Sequence, residues 1–228
     1  NSMISGNISS GDIPEKIIPL FSNLFLKLLF TSYLCLCLSN INFECPDGGI
    51  VILKGPNGIG KTTLLRCLVG LSNKLAGNFS LEEETIAYLG HLNGLNGNLS
   101  VFENLIFWKK IYGLKDFEDT VSAMNLNDIL HAQINTLSEG QQRLLSLSRI
   151  HLTQRKYWIL DEPMTSLDEK NLEIFHNVLE QHAKSDGIAI IATHQNLSLP
   201  LVDIKEVDLN IFKTSSKNQL SYANADIL

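Results

Sequence analysis

Residues Gly55-Pro56-Asn57-Gly58-Ile59-Gly60-Lys61-Thr62-Thr63 carry the most explicit chemistry in the chain, and their first eight letters fit G-x-x-x-x-G-K-[ST] without deviation. Glycines let a backbone curl so that its N–H groups point inward around phosphate oxygens. A helix beginning at Lys61 would aim its N-terminal partial positive charge at the same point. Lys61 adds a full charge for the outer phosphates, and the Thr62 hydroxyl can be offered to Mg²⁺. Farther along, the apolar run Tyr157-Trp158-Ile159-Leu160 ends in Asp161-Glu162. An acid at the end of a buried strand is rigid. Asp161 is expected to hold Mg²⁺, through water, and Glu162 to orient an attacking water or accept its proton. His194 closes another apolar run, Ile188 to Ala192, and would stand beside them.

These residues need a scaffold. Ile50 to Leu53 reads as a strand buried on both faces, as do Tyr157 to Leu160 and Ile188 to Ala192. Helices are expected over Lys61 to Leu71, Val101 to Tyr112, Phe117 to Leu126, Gly140 to Leu152 and Lys170 to Ala183. In the last of these, Leu172, Ile174, Phe175, Val178 and Leu179 fall on one face wide enough to cover a sheet. Val202 to Phe212 adds short strands. Buried strands alternating with helices give a mainly parallel α/β sheet, with ligands at the strand ends.

The chain has 228 residues and a formal net charge of −6. That length suits one large domain with an inserted subdomain. The acidic balance argues against a nucleic-acid partner, which would need clustered Lys and Arg. The four cysteines, Cys35, Cys37, Cys45 and Cys67, form no Cys-x-x-Cys pair and read as reduced thiols in a reducing compartment. Ile17 to Leu38 is long enough to span a bilayer. However, Leu24, Leu26 and Leu28 alternate with Phe25 and Lys27, and Leu34, Leu36 and Leu38 with Cys35 and Cys37. That period of two favours a pair of strands turning at Thr31-Ser32, with a signal anchor as the other reading. No direct membrane span is therefore expected.

Leu137-Ser138-Glu139-Gly140-Gln141 precedes Asp161, Ser166-Leu167-Asp168 follows it, and Thr193-His194 comes last. With the phosphate loop, this order resembles the ATP-binding-cassette (ABC) ATPases. The resemblance implies a P-loop NTPase fold: a RecA-like core sheet, a small antiparallel β subdomain and an inserted helical subdomain. It divides the chain into an N-terminal extension at 1–23, expected to be loose, and an ATPase domain at 24–228. Within that domain the core is 24–90 and 157–228, and the helical subdomain 91–156. It also implies an ATP-driven head-to-tail homodimer, in which Ser138, Gly140 and Gln141 meet ATP held by the partner's residues 55–63 and Asp168 contacts the partner. ATP and Mg²⁺ are the implied ligands and integral membrane transporter subunits the implied partners. His194 resembles the family's γ-phosphate-sensing histidine. Tyr33 and Phe30 both remain open as the aromatic residue that stacks on adenine.

One position departs from the family. Counted back from Leu99-Ser100-Val101, the Gln that normally meets Mg²⁺ falls on His91, which could ligate or relay through water. Gly90-His91, Trp158-Ile-Leu-Asp-Glu-Pro163 and Thr193-His194-Gln195 resemble the haem-exporter branch of the family, which serves bacterial cytochrome c maturation from the cytoplasmic face of the inner membrane as a peripheral subunit. An ABC ATPase for another cargo is the alternative. Soluble members of the family fit less well, because the chain lacks a tandem cassette, a long coiled coil and cysteine-based zinc modules.

Overall fold

The computed structural model describes residues 26–29, 38, 41–72, 76–78 and 85–213. Two sheets organise them. The smaller contains β1 (Leu26–Leu29), β2 (Ile41–Phe43) and β4 (Ala76–Asn78), all antiparallel, in the order β2-β1-β4. The larger contains β3 (Ile50–Lys54), β5 (Ile86–Leu89), β6 (Tyr157–Asp161), β7 (Ile188–Ala192) and β8 (Ile204–Asp208), all parallel, in the order β5-β6-β7-β3-β8.

The central strands β3, β6 and β7 are buried on both faces, as suits a parallel sheet covered on either side. In β3, Val51 and Leu53 face one core while Ile50 and Ile52 face the other. The first core packs under α1 (Lys61–Leu68), which contributes Leu64, Leu65 and Leu68. The second packs under α4 (Glu139–Leu152) and α5 (Glu169–Lys184), which contribute Leu144, Leu147, Phe175 and Val178. Edge strand β8 exposes Lys205 and Glu206 to solvent, which discourages pairing with another chain.

Between β5 and β6 no strand forms. Residues 91–156 hold α2 (Val101–Tyr112), α3 (Glu118–Ala123), α4 and two short 3₁₀ turns. Ser100 starts α2 with a capping box, its hydroxyl accepting from the Glu103 N–H at 3.2 Å while the Glu103 carboxylate accepts from the Ser100 N–H at 2.7 Å.

Several expectations shift. Helix α1 ends at Leu68 rather than Leu71 because Gly70 turns at φ +75°, and the Leu71 N–H donates to the Arg66 carbonyl at 2.8 Å. Helix α3 is shorter than the Phe117–Leu126 expected, and of Val202–Phe212 only Ile204–Asp208 is strand. Strand β1 carries part of the Leu24–Leu28 alternation, so that segment follows the strand reading. Among the described residues no helix is long and apolar enough to cross a membrane. Leu34–Cys37, Tyr33, Phe30, Cys35 and residues 1–23 lie outside the described residues. Cys45 and Cys67 are buried, which pushes their thiols up to about 12 and about 11.

The core makes two stability predictions. Phe175 is wholly buried on α5, so Phe175→Ala should cost about 3–5 kcal/mol, read as a lower urea midpoint at unchanged slope. His182 stacks on Trp158 with centroids 3.8 Å apart and planes 12° apart. Burial pulls its pKa from 6.5 down to about 4, against hydrogen bonds to the Ile188 and Lys156 backbone that raise it. The unfolded chain therefore takes up this proton first. Stability from neutral His182 is present above pH 6.5 and is lost as pH falls toward about 4. The melting temperature should drop across that window, and less steeply in His182→Phe.

Candidate functional site

The register of the large sheet assembles the site. Ala192 of β7 pairs with Leu53 of β3 on one side and with Asp161 of β6 on the other. Three neighbouring strands therefore end level. The chain leaves them at Gly55, Glu162 and Thr193, with His194 next, on one edge of the sheet, where ligands bind in open α/β folds.

After β3 the chain curls through three glycines with positive φ: Gly55 (+147°), Gly58 (+80°) and Gly60 (+113°). Gly60 opens α1 with no side-chain cap, so its first-turn N–H groups remain available to an anion. Ile59 anchors the loop in the core, while Pro56, Asn57 and Gly58 are exposed. Lys61 is 7% exposed and its ammonium is held inside the curl, 2.8 Å from the Gly55 carbonyl, 3.4 Å from that of Pro56 and 2.9 Å from His194 Nε2. The same Nε2 lies 2.7 Å from the Asn57 side-chain amide. That partner atom is Oδ1, so Nε2 either donates to Asn57 as an N–H or accepts from Lys61 through its single lone pair, and it cannot do both at once.

Thr62 faces β6. Its hydroxyl donates to Asp161 Oδ2 at 2.7 Å, so two hard oxygen donors converge at the head of α1. This donor set suits Mg²⁺, which takes few protein oxygens and keeps several waters. Thr63 follows, half-buried in the first turn. Glu162 sits at φ +47°, a region that non-glycine residues seldom enter. Its N–H donates to the Ala192 carbonyl at 2.8 Å, and its carboxylate lies 3.6 Å from His194 Nε2. His91, in the loop after β5, is exposed and lines a cleft of about 270 Å³ with Asn93, Arg143 and Glu162. Its imidazole is the one predicted metal donor that Mg²⁺ chemistry does not favour.

Ser138, Gly140, Gln141 and Asp168 sit elsewhere. Among the described residues no hydrogen bond or ion pair joins any of them to 55–63. Ser138 and Gln141 form the capping box of α4, with the Ser138 hydroxyl accepting from the Gln141 N–H at 3.2 Å and Gln141 Oε1 accepting from the Ser138 N–H at 2.9 Å. The hydroxyl proton of Ser138 is not used by that box and can still be donated. Gly140 is obligatory, since a Cβ there would lie 2.7 Å from the Ser166 carbonyl oxygen. Asp168 caps α5, accepting from the Asn171 N–H at 2.8 Å.

Sequence comparison agrees with this architecture. The family profile described as ABC transporter matches residues 38–165. The chain belongs to the ABC transporter family. It is an ATP-binding subunit of that family, the kind of subunit that works with membrane transporter components. Its relatives include the cytochrome c biogenesis ATP-binding export protein CcmA of Roseobacter denitrificans, 45% identical over 75% of this chain and 82% of that one. The protein of the same name from Paracoccus denitrificans is 44% identical over 72% of this chain and 79% of the relative. Among solved structures, an ABC transporter ATP-binding protein from Pyrococcus furiosus superposes with a TM-score of 0.74 at 25% identity, covering 85% of this chain and all of that one. The ATP-binding subunit of another ABC transporter, at 19% identity and a TM-score of 0.72, shares the fold.

Sequence reasoning passed over two residues in this ABC subunit. Lys54, at the end of β3, donates to the Gln195 carbonyl at 2.8 Å and so ties the segment after His194 to the strand that leads into the glycine-rich loop. Arg143 is buried in α4, between Gly140 and Leu147 on its inward face. The signal was there: a charged residue interrupting an apolar helical stripe needs partners.

Proposed function

We propose that the chain hydrolyses MgATP between two copies arranged head to tail, with residues 55–63 of each gripping the triphosphate. The observation that carries this reading is the level ending of β3, β6 and β7, which gathers Lys61, Thr62, Asp161, Glu162 and His194 on one edge. Lys61 exchanges its carbonyl and imidazole partners for phosphate oxygens. Thr62 and Asp161 hold Mg²⁺, which when bound offsets charge on the β- and γ-phosphates. Glu162 orients the attacking water or accepts its proton, and His194 donates to the γ-phosphate. Ser138 and Gly140, at the tip of α4, cap the nucleotide of the other copy, with Gln141 bracing Ser138 and Asp168 at the seam. His91 lies beside Glu162 and relays through water.

The kinship with CcmA proteins extends the proposal to the cell. The subunit acts as a peripheral protein on the cytoplasmic face of the bacterial inner membrane, bound to separate membrane subunits. It drives haem handling in cytochrome c biogenesis.

The test is MgATP turnover by the purified chain, with loss of activity on chelation. Turnover unaffected by chelation would remove Thr62 and Asp161 from the metal role. Ser138→Arg should abolish the ATP-dependent dimer by driving bulk and charge into the facing phosphate site, and light scattering would show the mass staying at one copy. An unimpaired ATP-bound dimer would refute the head-to-tail arrangement. The cargo reading predicts that deleting the gene abolishes mature c-type cytochromes, visible by haem staining, and that normal levels would overturn it.

A further inference from the structure

Arg143 is 4% exposed, and every N–H edge of its guanidinium is engaged. Nε donates to the Pro163 carbonyl at 3.2 Å. Nη2 donates to the carbonyls of Asp161 at 2.9 Å and Glu162 at 2.8 Å. Nη1 reaches the Gly90 carbonyl at 3.3 Å, Asn93 Oδ1 at 3.1 Å and the His91 carbonyl at 3.5 Å. One planar group thus grips two segments that are far apart in sequence: the end of β6 and the loop after β5. All but one of its acceptors belong to the main chain, so Arg143 fixes the path of the backbone. Burial pulls its pKa down, and the charges of Asp161 and Glu162 oppose that shift.

Glu162 is the residue that needs such a grip. Its φ of +47° is unfavourable for a side-chain-bearing residue. Its N–H is tied to Ala192 and its carbonyl to Arg143, so both ends of the strained unit are held. The carboxylate is then aimed toward His194 at 3.6 Å. The Asn93 carbonyl also accepts from the Ser146 hydroxyl at 2.7 Å, so α4 holds the His91 loop at a second point.

We infer that Arg143 is a positioning residue that locks Glu162 and the His91 loop into one unit, so that both meet the same nucleotide. The inference rests on the proposed role of Glu162. Because Ser138 caps the start of α4, displacement of that tip also moves the guanidinium, and the unit follows the helix that faces the other copy. Lysine cannot substitute, since a single ammonium lacks the fork that spans both segments.

The test uses the full chain with MgATP. Arg143→Ala and Arg143→Lys should both bind a fluorescent ATP analogue within about threefold of the parent while kcat falls about 100-fold, because misplacing a reacting group by an ångström costs that much. Guanidinium ion, far below denaturing concentration, should restore part of the rate to Arg143→Ala, and methylammonium should not. A folded Arg143→Ala enzyme with the parent's kcat would overturn the inference. So would a rate loss that tracks lost nucleotide affinity and is not rescued by guanidinium. If both Arg143 variants fail to fold, Asn93→Ala removes a single acceptor and should lower kcat about fivefold at unchanged affinity; an unchanged kcat there would be equally fatal. A parent chain that does not hydrolyse ATP sinks the hydrolase reading itself. An active parent, with Glu162→Gln inactive and Arg143→Ala intact, sinks only the role of Arg143.

Discussion

Glu162→Gln should slow ATP hydrolysis by about 10²–10⁴-fold, the range that a positioned acid or base contributes. The exchange keeps size and shape while removing the negative charge and the ability to take a proton. The amide retains an oxygen that can face His194, and the backbone bonds of Glu162 to Ala192 and Arg143 do not involve the side chain. Nucleotide binding should therefore survive. A site that binds but does not cleave accumulates its ATP-bound form, so the variant should stay as a dimer of doubled mass by light scattering where the parent returns to monomer. The two readouts separate causes. A slow variant that never dimerises would place Glu162 in assembly, and a variant that turns over at the parent rate would remove it from the chemistry.

The curl at 55–63 was legible in the sequence because it is local: three glycines at positive φ and a lysine folded back on the loop follow from spacing along a single turn. The long buried strands and α5 were legible because their periodicity is strong. Strand β5 was not, since Ile86–Leu89 is only four residues long and follows the acidic run Glu82-Glu83-Glu84. The ends of α1 and α3 drifted because helix termini depend on single turn residues such as Gly70. Ser138 and Gln141 were read for ligand contact, yet the same letters spell a helix cap, and the fold uses them as one. A local pattern can serve two purposes, and spacing alone does not separate them. The charge of Arg143 within an apolar stripe signalled a need for partners, but which partners lay beyond reach for another reason. Its partners, 90–93 and 161–163, are brought to it by strand pairing across the sheet, which no window of sequence contains.

The same reasoning makes Lys61→Ala the most severe single change at the site. Lys61 is nearly buried, and its ammonium is the only formal positive charge among residues 55–63. Replacing it removes a charge-assisted contact to the outer phosphates from a place where water screens little. Losing one partner of a buried charge pair costs about 2–5 kcal/mol, which corresponds to about 30- to 5,000-fold in affinity. Stability should change little by comparison, because Gly55 and Pro56, whose carbonyls lose their donor, are only partly buried or exposed and can turn to water. Calorimetric titration with MgATP would therefore show weak or no binding in a chain that melts near the parent temperature. Lys61→Arg is the sharper control. It keeps the charge but forces a larger planar group into a curl already occupied by the Gly55 and Pro56 carbonyls, and it should recover only part of the affinity. If Lys61→Ala bound MgATP as the parent does, the triphosphate would not lie in this loop, and the roles of Thr62, Asp161, Glu162 and His194 would have to be sought elsewhere.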